Sequence, residues 1–366
     1  MNENSLIRDI GRSYIVSSML PAAFFIALGV FIYRANIPQL LSIPILSDKY
    51  SASLYFLFAG LIMWAGFALY SMVNWTVRFY EGYYLLGWMK KVLVFLFFGR
   101  EYKKKTKYIE RVLQAKKNRP VGWEEIIDEN YNQAWSDFSD AELSIPLRAD
   151  DLMPTRLGNV LRASEQYPEK YGLTAGIETW SRLATLLPPN MANALEEKNN
   201  NMLFLLNSSL LSYFMGVFAF GTWGICKINQ SCSTTLGIVR AFGVKDGLSS
   251  YLKGFAENEY LLLGCFWILV GYILYVLSIP VAKTIGLLIR SSFDLYRFDL
   301  LKQLNYSIPS TFSQERKAWG KISDFIVTGG SLGTIPLEIE YNLREEYLNE
   351  PSQKKKTQSK KKTHGK

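Results

Sequence analysis

Histidine is almost absent from this 366-residue sequence, and the one copy, His364, lies in a lysine-rich C-terminal tail. With its only imidazole in that tail, the sequence argues against a serine–histidine triad, a histidine metal site and a histidine proton relay. The three cysteines are too few for a four-thiolate zinc site. The glycine motifs that cradle phosphates, G-x-x-x-x-G-K-[ST] and G-x-G-x-x-G, are missing as well. We therefore predict a protein that is not an enzyme and that carries no metal or cofactor.

One stretch does match a catalytic motif. Residues 329–333, GGSLG, fit the G-x-S-x-G nucleophile elbow, which needs a preceding strand and a general base. Neither is evident, and the one Asp-Gly pair that a serine–aspartate dyad would use, Asp246-Gly247, precedes the motif instead of following it. We interpret the stretch as a glycine turn, and an enzyme acting on lipid is the third-ranked hypothesis.

Long apolar runs dominate the rest of the sequence. The clearest, Met202 to Ile225, is uncharged over 24 residues, which as a helix covers about 36 Å and exceeds a hydrocarbon core of about 30 Å. Similar runs lie at Tyr14 to Tyr33, Leu54 to Val77 and Tyr260 to Ile279. These runs predict an all-α integral membrane protein with four transmembrane helices and a cytosolic helical domain.

Smaller patterns predict helix packing and helix ends. Glycine and alanine residues in the second run allow close approach of a neighbouring helix. Apolar residues recur at three- and four-residue steps beyond Pro280, so we expect the fourth helix to resume there and to stop at Pro309. Thr311 and Gln314 then resemble a capping box at the start of another helix.

The distribution of positive charge predicts the orientation. Lysine and arginine are concentrated after the second and fourth runs, so we expect both termini and the long middle region in the cytoplasm of a bacterial cell, with the helices in its inner membrane. The predicted division is a cytosolic N-terminus, transmembrane helices 1 and 2, an interfacial helix with the cytosolic helical domain, transmembrane helices 3 and 4 with an external loop, cytosolic helices joining the domain, and a disordered tail. Their respective ranges are 1–13, 14–77, 78–201, 202–282, 283–346 and 347–366.

The run Val92 to Phe98 is intensely apolar but only seven residues long, so it cannot span a bilayer. Lys90, Lys91 and Arg100 bracket it, which favours a helix lying in the membrane interface. The alternative is a buried helix of a soluble domain.

The C-terminal tail is low in complexity and contains seven lysines and no acid in its last sixteen residues. Without those seven charges the formal charge of +9 falls to +2, so the high isoelectric point does not indicate nucleic-acid binding. We predict that the tail contacts an anionic lipid surface or an acidic partner, with no specific nucleic acid. The residues assigned to this contact are Lys354, Lys355, Lys356, Lys360, Lys361 and Lys362.

Two segments carry a family resemblance. PTRLGNVLRASEQYPEKYGL, from Pro154 to Leu173, and FDLYRFDLLKQLNYSIP, from Phe293 to Pro309, together resemble a group of uncharacterised bacterial multi-pass membrane proteins. The resemblance implies placement in a bacterial inner membrane and no activity.

The same two segments hold the candidate interaction residues, which are Arg156, Asn159, Arg162, Arg297 and Asp299. Their arginines either pair with Glu165, Asp294 or Asp299 in a structural network or bind an anionic ligand or headgroup. We expect the two segments to meet in the folded domain, with the structural network preferred.

Cys226 and Cys232 are separated by five residues at the predicted outer end of the third span. That side faces an oxidising compartment, so we predict a disulfide there, with two unrelated thiols as the alternative. Cys265 lies inside the fourth span and is expected to stay reduced.

Two function classes remain open. The first is a non-enzymatic membrane protein that senses, recruits or signals through its cytosolic domain, with a cytosolic protein partner. The second is an oligomeric channel or transporter subunit whose pore is lined by Asn207, Ser208 and Ser209 of span three. Such a polar cluster is more often interhelical hydrogen bonding, and the spans contain no acidic residue of the kind that transport sites use.

Overall fold

The computed structural model describes residues 13–33, 51–117, 129–174, 176–229 and 259–329. Within these residues the fold is all-helical, as the sequence predicts. The helices, in chain order, are α1 (Leu20–Tyr33), α2 (Ser51–Ser71), α3 (Val73–Glu81), α4 (Gly87–Leu93), α5 (Gly99–Lys117), α6 (Glu129–Ser144), α7 (Arg156–Glu165), α8 (Gly176–Leu183), α9 (Pro189–Asn229), α10 (Glu259–Gln303) and α11 (Phe312–Thr328). Two π-helical turns, Ile15–Met19 and Val94–Phe98, precede α1 and α5, and 3₁₀ turns occupy Ala149–Asp151, Tyr167–Tyr171 and Ala184–Leu186.

The chain divides into two compact units. The apolar-helix unit comprises Met1–Ala163 with Asn193–Gly286, and the small helical unit comprises Ser164–Ala192 with Leu287–Lys366. Each unit has its own buried core, and each is described separately below. The division into cytosolic and membrane parts drawn from the sequence stays a prediction.

Two of the four predicted spans lie in helices that are long and apolar enough to cross a membrane. These are α9 and α10. The predicted continuation of α10 across Pro280 is confirmed, because the proline lies inside one unbroken helix. α2 and α3 pass the same test only as a pair and are bent by 56° at their junction, while the first run forms a shorter apolar helix. Within the described part of the chain, the structure therefore supports two spans, or three with the bent pair.

Glycines let α9 and α10 approach closely. A β-carbon on Gly216 would lie 3.0 Å from the Ile268 side chain, and one on Gly271 would lie 2.9 Å from the ring of Tyr213. Small residues at such crossings allow two backbones to pack without an intervening side chain, which favours association of apolar helices. Trp267 of α10 is buried beside these contacts, packed against Phe25 of α1.

The second predicted run packs against the π-helical turn that precedes α1. A β-carbon on Gly66 would lie 3.0 Å from Cα of Met19, and the Tyr14 hydroxyl donates to the carbonyl of Met63 at 2.9 Å. The prediction that small residues of this run permit close packing is confirmed at Gly66. At Gly60 no described atom lies within 4 Å of such a β-carbon.

The predicted interfacial run forms part of a longer helical path through α4, the π-helical turn Val94–Phe98 and α5. Phe95 and Phe97 are highly exposed on it, whereas Phe98 is buried against Ile145 at the end of α6. The amine of Lys105, 7% exposed, donates to the carbonyl of Ile145 at 2.7 Å and satisfies the end of α6. An interfacial location for this path stays a prediction.

The small helical unit is built on a core around Trp319, Phe293 and Leu301, all buried. Thr311 caps α11 by accepting from the backbone NH of Gln314 at 3.3 Å, which confirms the predicted capping motif. Gly329 ends α11 in the left-handed region, the one residue of the 329–333 stretch that the structure describes. α10 ends at Gln303, several residues before the proline expected to stop it.

Candidate functional site

A carboxylate in the small helical unit gathers two tyrosines and a lysine. The hydroxyl of Tyr167 donates to both oxygens of Asp294 at 3.0 and 2.7 Å, and the hydroxyl of Tyr171 donates to Oδ1. The amine of Lys170 lies 3.2 Å from the same carboxylate and 3.7 Å from the centre of the Tyr167 ring. All three residues come from the 3₁₀ turn Tyr167–Tyr171, in which residues three apart, here Tyr167 and Lys170, face the same way.

Beneath this cluster lies a buried ion pair. Nε of Arg297 donates to Oε1 of Glu315 at 2.6 Å, and Glu315 is only 4% exposed. The guanidinium also donates to the carbonyl of Asp294 and lies 4.2 Å from the centre of the Tyr171 ring. Arg297 therefore links the carboxylate cluster to the first turn of α11.

The turn that presents the tyrosines is fixed by Gly172. This residue has a φ of 92°, and a β-carbon there would overlap the backbone of Arg316. An L-residue is disfavoured in this conformation and has no space here, so the chain must be glycine where it leaves the 3₁₀ turn.

The surroundings of Asp294 set its ionisation. Burial alone would raise the pKa of this carboxyl, but the hydrogen bonds from Tyr171, Tyr167 and Lys170 outweigh it and hold the pKa below its usual value. Burial, followed by the bonds donated to Asp294, raises the pKa of both tyrosines. At neutral pH the cluster therefore combines an ionised carboxylate with two protonated phenols.

The cluster is partly open to solvent. The side chains of Asp294 and Lys170 are 39% and 42% exposed, and Phe312, 55% exposed, packs its ring edge-to-face against Tyr171. We call Tyr167, Lys170, Tyr171, Asp294 and Phe312 the Asp294 patch. It presents aromatic rings, an ammonium and a carboxylate side by side on a packed core.

Of the predicted interaction residues, Arg297 lies directly under the Asp294 patch, and Asp299 is an exposed residue of the same helix paired with Lys302 at 3.0 Å. Arg156, Asn159 and Arg162 fall in the apolar-helix unit. The two segments nevertheless meet in the small helical unit, where Tyr167 and Tyr171 of the first bond to Asp294 of the second, so that expectation is confirmed.

Asn159 stabilises the connection between the 3₁₀ turn Ala149–Asp151 and α7. Its amide, 2% exposed, exchanges hydrogen bonds with the NH and carbonyl of Met153 at 2.8 and 2.9 Å and closes that connection. Arg162 pairs with Asp151 at 3.0 Å. Arg156 is 68% exposed and lies 3.6 Å from Glu101. Asn159 and Arg162 thus stabilise local structure, whereas Arg156 remains accessible.

Asp151 accepts a second bond, from Arg148 at 2.7 Å. Burial opposes its ionisation, but the bonds from Arg148 and Arg162 dominate and lower its pKa. Both Arg148 and Arg162 are therefore paired with the one carboxylate of Asp151.

The remaining predicted sites lie outside what the structure describes. Cys232 and the lysines of the tail, residues 354–356 and 360–362, are beyond the described residues, and of Cys226 only its helical backbone is described. The predicted disulfide and the predicted anionic-surface contact stay predictions. Cys265 is a free thiol in α10.

A second polar cluster lies among the long apolar helices. Asn207 of α9 donates to the carbonyl of Ser17 at 2.8 Å, inside the π-helical turn. Ser209 donates to the carbonyl of Gly271 at 2.7 Å and accepts from the hydroxyl of Tyr80 at 2.7 Å. We call these residues the buried polar layer; they connect α9 to the first helical path, to α3 and to α10.

The sequence did not identify the tyrosines of the Asp294 patch as site residues, although they lie within the segment from Pro154 to Leu173. The available signal was the composition of YPEKY, which supplies two phenols and a lysine within five residues. Comparison of the chain with protein-family models, curated proteins and solved structures gives no match. The family resemblance described above therefore stays a prediction.

Proposed function

We propose that this chain is a non-enzymatic integral protein of a bacterial inner membrane that recruits a cytosolic protein through its small helical unit. The observation that carries the proposal is the Asp294 patch. Lys170, Asp294 and the ring of Phe312 are open to solvent, while bonds from the half-buried Tyr167 and the buried Tyr171 hold the carboxylate in place.

Such a patch suits protein recognition for two reasons. Tyrosine and other aromatic residues are enriched where protein interfaces derive their binding energy, because they bury much area and retain one polar group. A carboxylate already bonded to Tyr167 and Tyr171 loses fewer water contacts on binding than an isolated one, so the penalty for covering it is smaller.

The membrane part of the proposal has four spans with both termini in the cytoplasm. α9 and α10 support two of them, and α2 with α3 supports a third. The helical path from residue 13 to residue 33 covers about 30 Å including its π-helical turn, which is enough for the fourth. Reporter fusions after Ser47 and Gly247 are expected to read external, and those after Asn118 and Ser352 cytosolic. A cytosolic reading at Gly247 would contradict this arrangement.

The alternative is an oligomeric channel or transporter subunit with span three lining the pore. One observation favours it, since Oδ1 of Asn207 is buried with no hydrogen-bond partner among the described residues. Against it, the polar side of α9 is covered by helices of the same chain, while its exposed residues in this stretch include Phe214, Val217 and Phe218. Oligomerisation through the exposed side would bring apolar surfaces together, so recruitment is the better-supported function.

Photo-cross-linking in native membranes tests the proposal. A photoreactive residue is placed at Phe312 in the patch and, in a second variant, at Lys317, which is exposed about 140° further round the same helix. We expect one protein adduct of defined mass at position 312, weakened by Lys170→Glu, and none at position 317. Equal labelling at both positions, or an adduct indifferent to Lys170→Glu, would count against recruitment through this patch.

A further inference from the structure

One face of the helical path through α4 and α5 changes from apolar to cationic. Leu93, Leu96 and Phe97 are followed along the path by Arg100 and Lys104, and all five line the same side of the path. The path from the first to the last covers about 16 Å. An amphiphile that lies along this face meets hydrocarbon at one end and positive charge at the other.

This face forms one wall of an open groove with a volume of about 850 Å³. Phe79 and Tyr84 contribute apolar surface from the end of α3 and the turn after it, and Tyr272 and Tyr275 of α10 also line the groove. All of the lining residues belong to the apolar-helix unit. The volume is in the range of sites that enclose a large part of a small ligand.

The shape of the groove depends on Gly82. This residue ends α3 with a φ of 89°, and a β-carbon there would overlap the ring of Pro154. Pro154 also lines the groove, so the close approach of the two residues fixes where the chain before α7 meets the end of α3. The groove is thus set by backbone packing and does not depend on side-chain rotamers alone.

The charged residues that line the groove have a net positive charge. Arg100, Lys104 and Arg156 are exposed cations, and Glu101 is the one carboxylate among the described lining residues. Glu101 lies 3.6 Å from Arg156, a loose and exposed pair that solvent screens. Arg100 and Lys104 therefore supply the excess positive charge, four residues apart on one helix face.

We propose that this groove binds one phospholipid with an anionic headgroup. Arg100 and Lys104 hold the headgroup phosphate, Arg156 contacts the headgroup from the opposite wall, and the acyl chain lies against Leu96, Phe97 and Phe79. The proposal rests on the membrane placement in the proposed function and is independent of partner recruitment.

Native mass spectrometry of the purified full-length chain in detergent tests the site. We expect phosphatidylglycerol to be retained and phosphatidylcholine to be lost under the same conditions, with glycerol phosphate unable to displace the retained lipid. Arg100→Gln with Lys104→Gln should lower the retained fraction about tenfold, since each basic residue near an anionic headgroup contributes substantially to its attraction. Phe97→Ser, which leaves every charge in place, should weaken retention of the same lipid through the chain contact.

Matched variants on the same helical path serve as controls. Lys103→Gln with Lys107→Gln removes the same charge at the same spacing from exposed positions outside the groove, and Phe95→Ser removes an exposed ring that does not line it. We expect both to retain phosphatidylglycerol as the unmodified chain does.

Equal losses in the groove and control variants, or equal retention of phosphatidylcholine, would overturn the proposal. Displacement by glycerol phosphate would show a site for a free anion and would also overturn it. Because no partner protein is present, these outcomes leave recruitment through the Asp294 patch untouched, and failure of the cross-linking test leaves lipid binding untouched.

Discussion

The two polar clusters of this chain satisfy their polar groups with different chemistry, one with neutral hydrogen bonds and the other with charged pairs. In the buried polar layer, Asn207 and Ser209 reach the backbone carbonyls of Ser17 and Gly271, and every group involved is neutral. Around Asp294, by contrast, carboxylates, a lysine and an arginine pair with one another. Asp294 and Lys170 are partly exposed and keep part of their hydration, and the buried Glu315 is compensated by Arg297. Among apolar helices an ion would be expensive and a hydroxyl suffices.

The comparison also separates exposed pairs from buried ones within the small helical unit. Asp294 and Lys170 are both about two-fifths exposed, whereas Glu315 is almost fully covered. The stability of this unit should therefore depend far more on the Arg297–Glu315 pair than on the carboxylate above it. Of the three predictions that follow, the first and the last test this ranking, and the second tests the buried polar layer.

The largest effect is expected for Arg297→Met. The change leaves the carboxyl group of Glu315 buried without its partner, a situation that destabilises proteins by roughly 3 kcal/mol. Chemical denaturation in detergent, followed through the signal of Trp319 in this unit, measures the loss. The double variant Arg297→Met with Glu315→Gln should recover most of it because no unpaired charge stays buried.

Arg316→Leu is the matched control for this change, since it removes an exposed arginine next to Glu315 in sequence. We expect it to change stability by less than about 0.5 kcal/mol. If Arg297→Met were as mild as this control, the ion pair would not be the support of the unit, and the contrast between its buried and exposed charges would fail.

An intermediate effect is expected for Ser209→Ala in the buried polar layer. The change removes the hydroxyl that donates to Gly271 and accepts from Tyr80, and it should destabilise the apolar-helix unit by about 1 kcal/mol. Ser212→Ala is the control because Ser212 is equally buried on the same helix but bonds within it, to the carbonyl of Ser208. Thermal unfolding in detergent compares the two. A loss as large for Ser212→Ala would mean that interhelical bonding is not what holds this layer.

Much of the fold follows from local pattern. The uncharged run beginning at Met202 predicts a long helix, and the apolar residues that recur beyond Pro280 predict that the helix resumes there. Both predictions are confirmed. Thr311 and Gly329 mark the two ends of α11 in the sequence, because cap residues act through bonds to nearby backbone groups. These features require only a few neighbouring residues, so the sequence alone reveals them.

The candidate site could be predicted only in part, for physical reasons. The sequence predicts Arg297 as a site residue and contact between its segment and the segment from Pro154 to Leu173. Tyr167 and Asp294 are nevertheless 127 positions apart, and no periodicity indicates that a short 3₁₀ turn and a long helix meet at these two residues. The π-helical turn at Ile15–Met19 is likewise invisible in the sequence, since it depends on the packing that lets Asn207 bond to a carbonyl within the turn. Long-range pairing and register shifts are products of tertiary packing, which local propensity does not encode.

The smallest effect, and the one that most sharpens the comparison, is the loss of the stability contributed by Asp294 as the pH falls. Its pKa is lower in the folded chain than the value of about 3.9 expected when unfolded. As the pH falls, the unfolded state therefore takes up the proton first, so the stabilisation from Asp294 is complete well above pH 4 and is lost as the pH falls towards the folded pKa. Asp294→Asn should be less stable than the unmodified chain by roughly 0.5 kcal/mol at pH 7, because the group is partly exposed, and the difference should shrink in acid.

Denaturation midpoints between pH 7 and pH 3 measure this difference in stability, with Asp299→Asn as the control because its pair with Lys302 is exposed on both sides. A difference for Asp294→Asn that stays constant or grows towards pH 3 would show that its carboxylate does not stabilise the small helical unit, and that the tyrosine bonds serve only to shape the Asp294 patch.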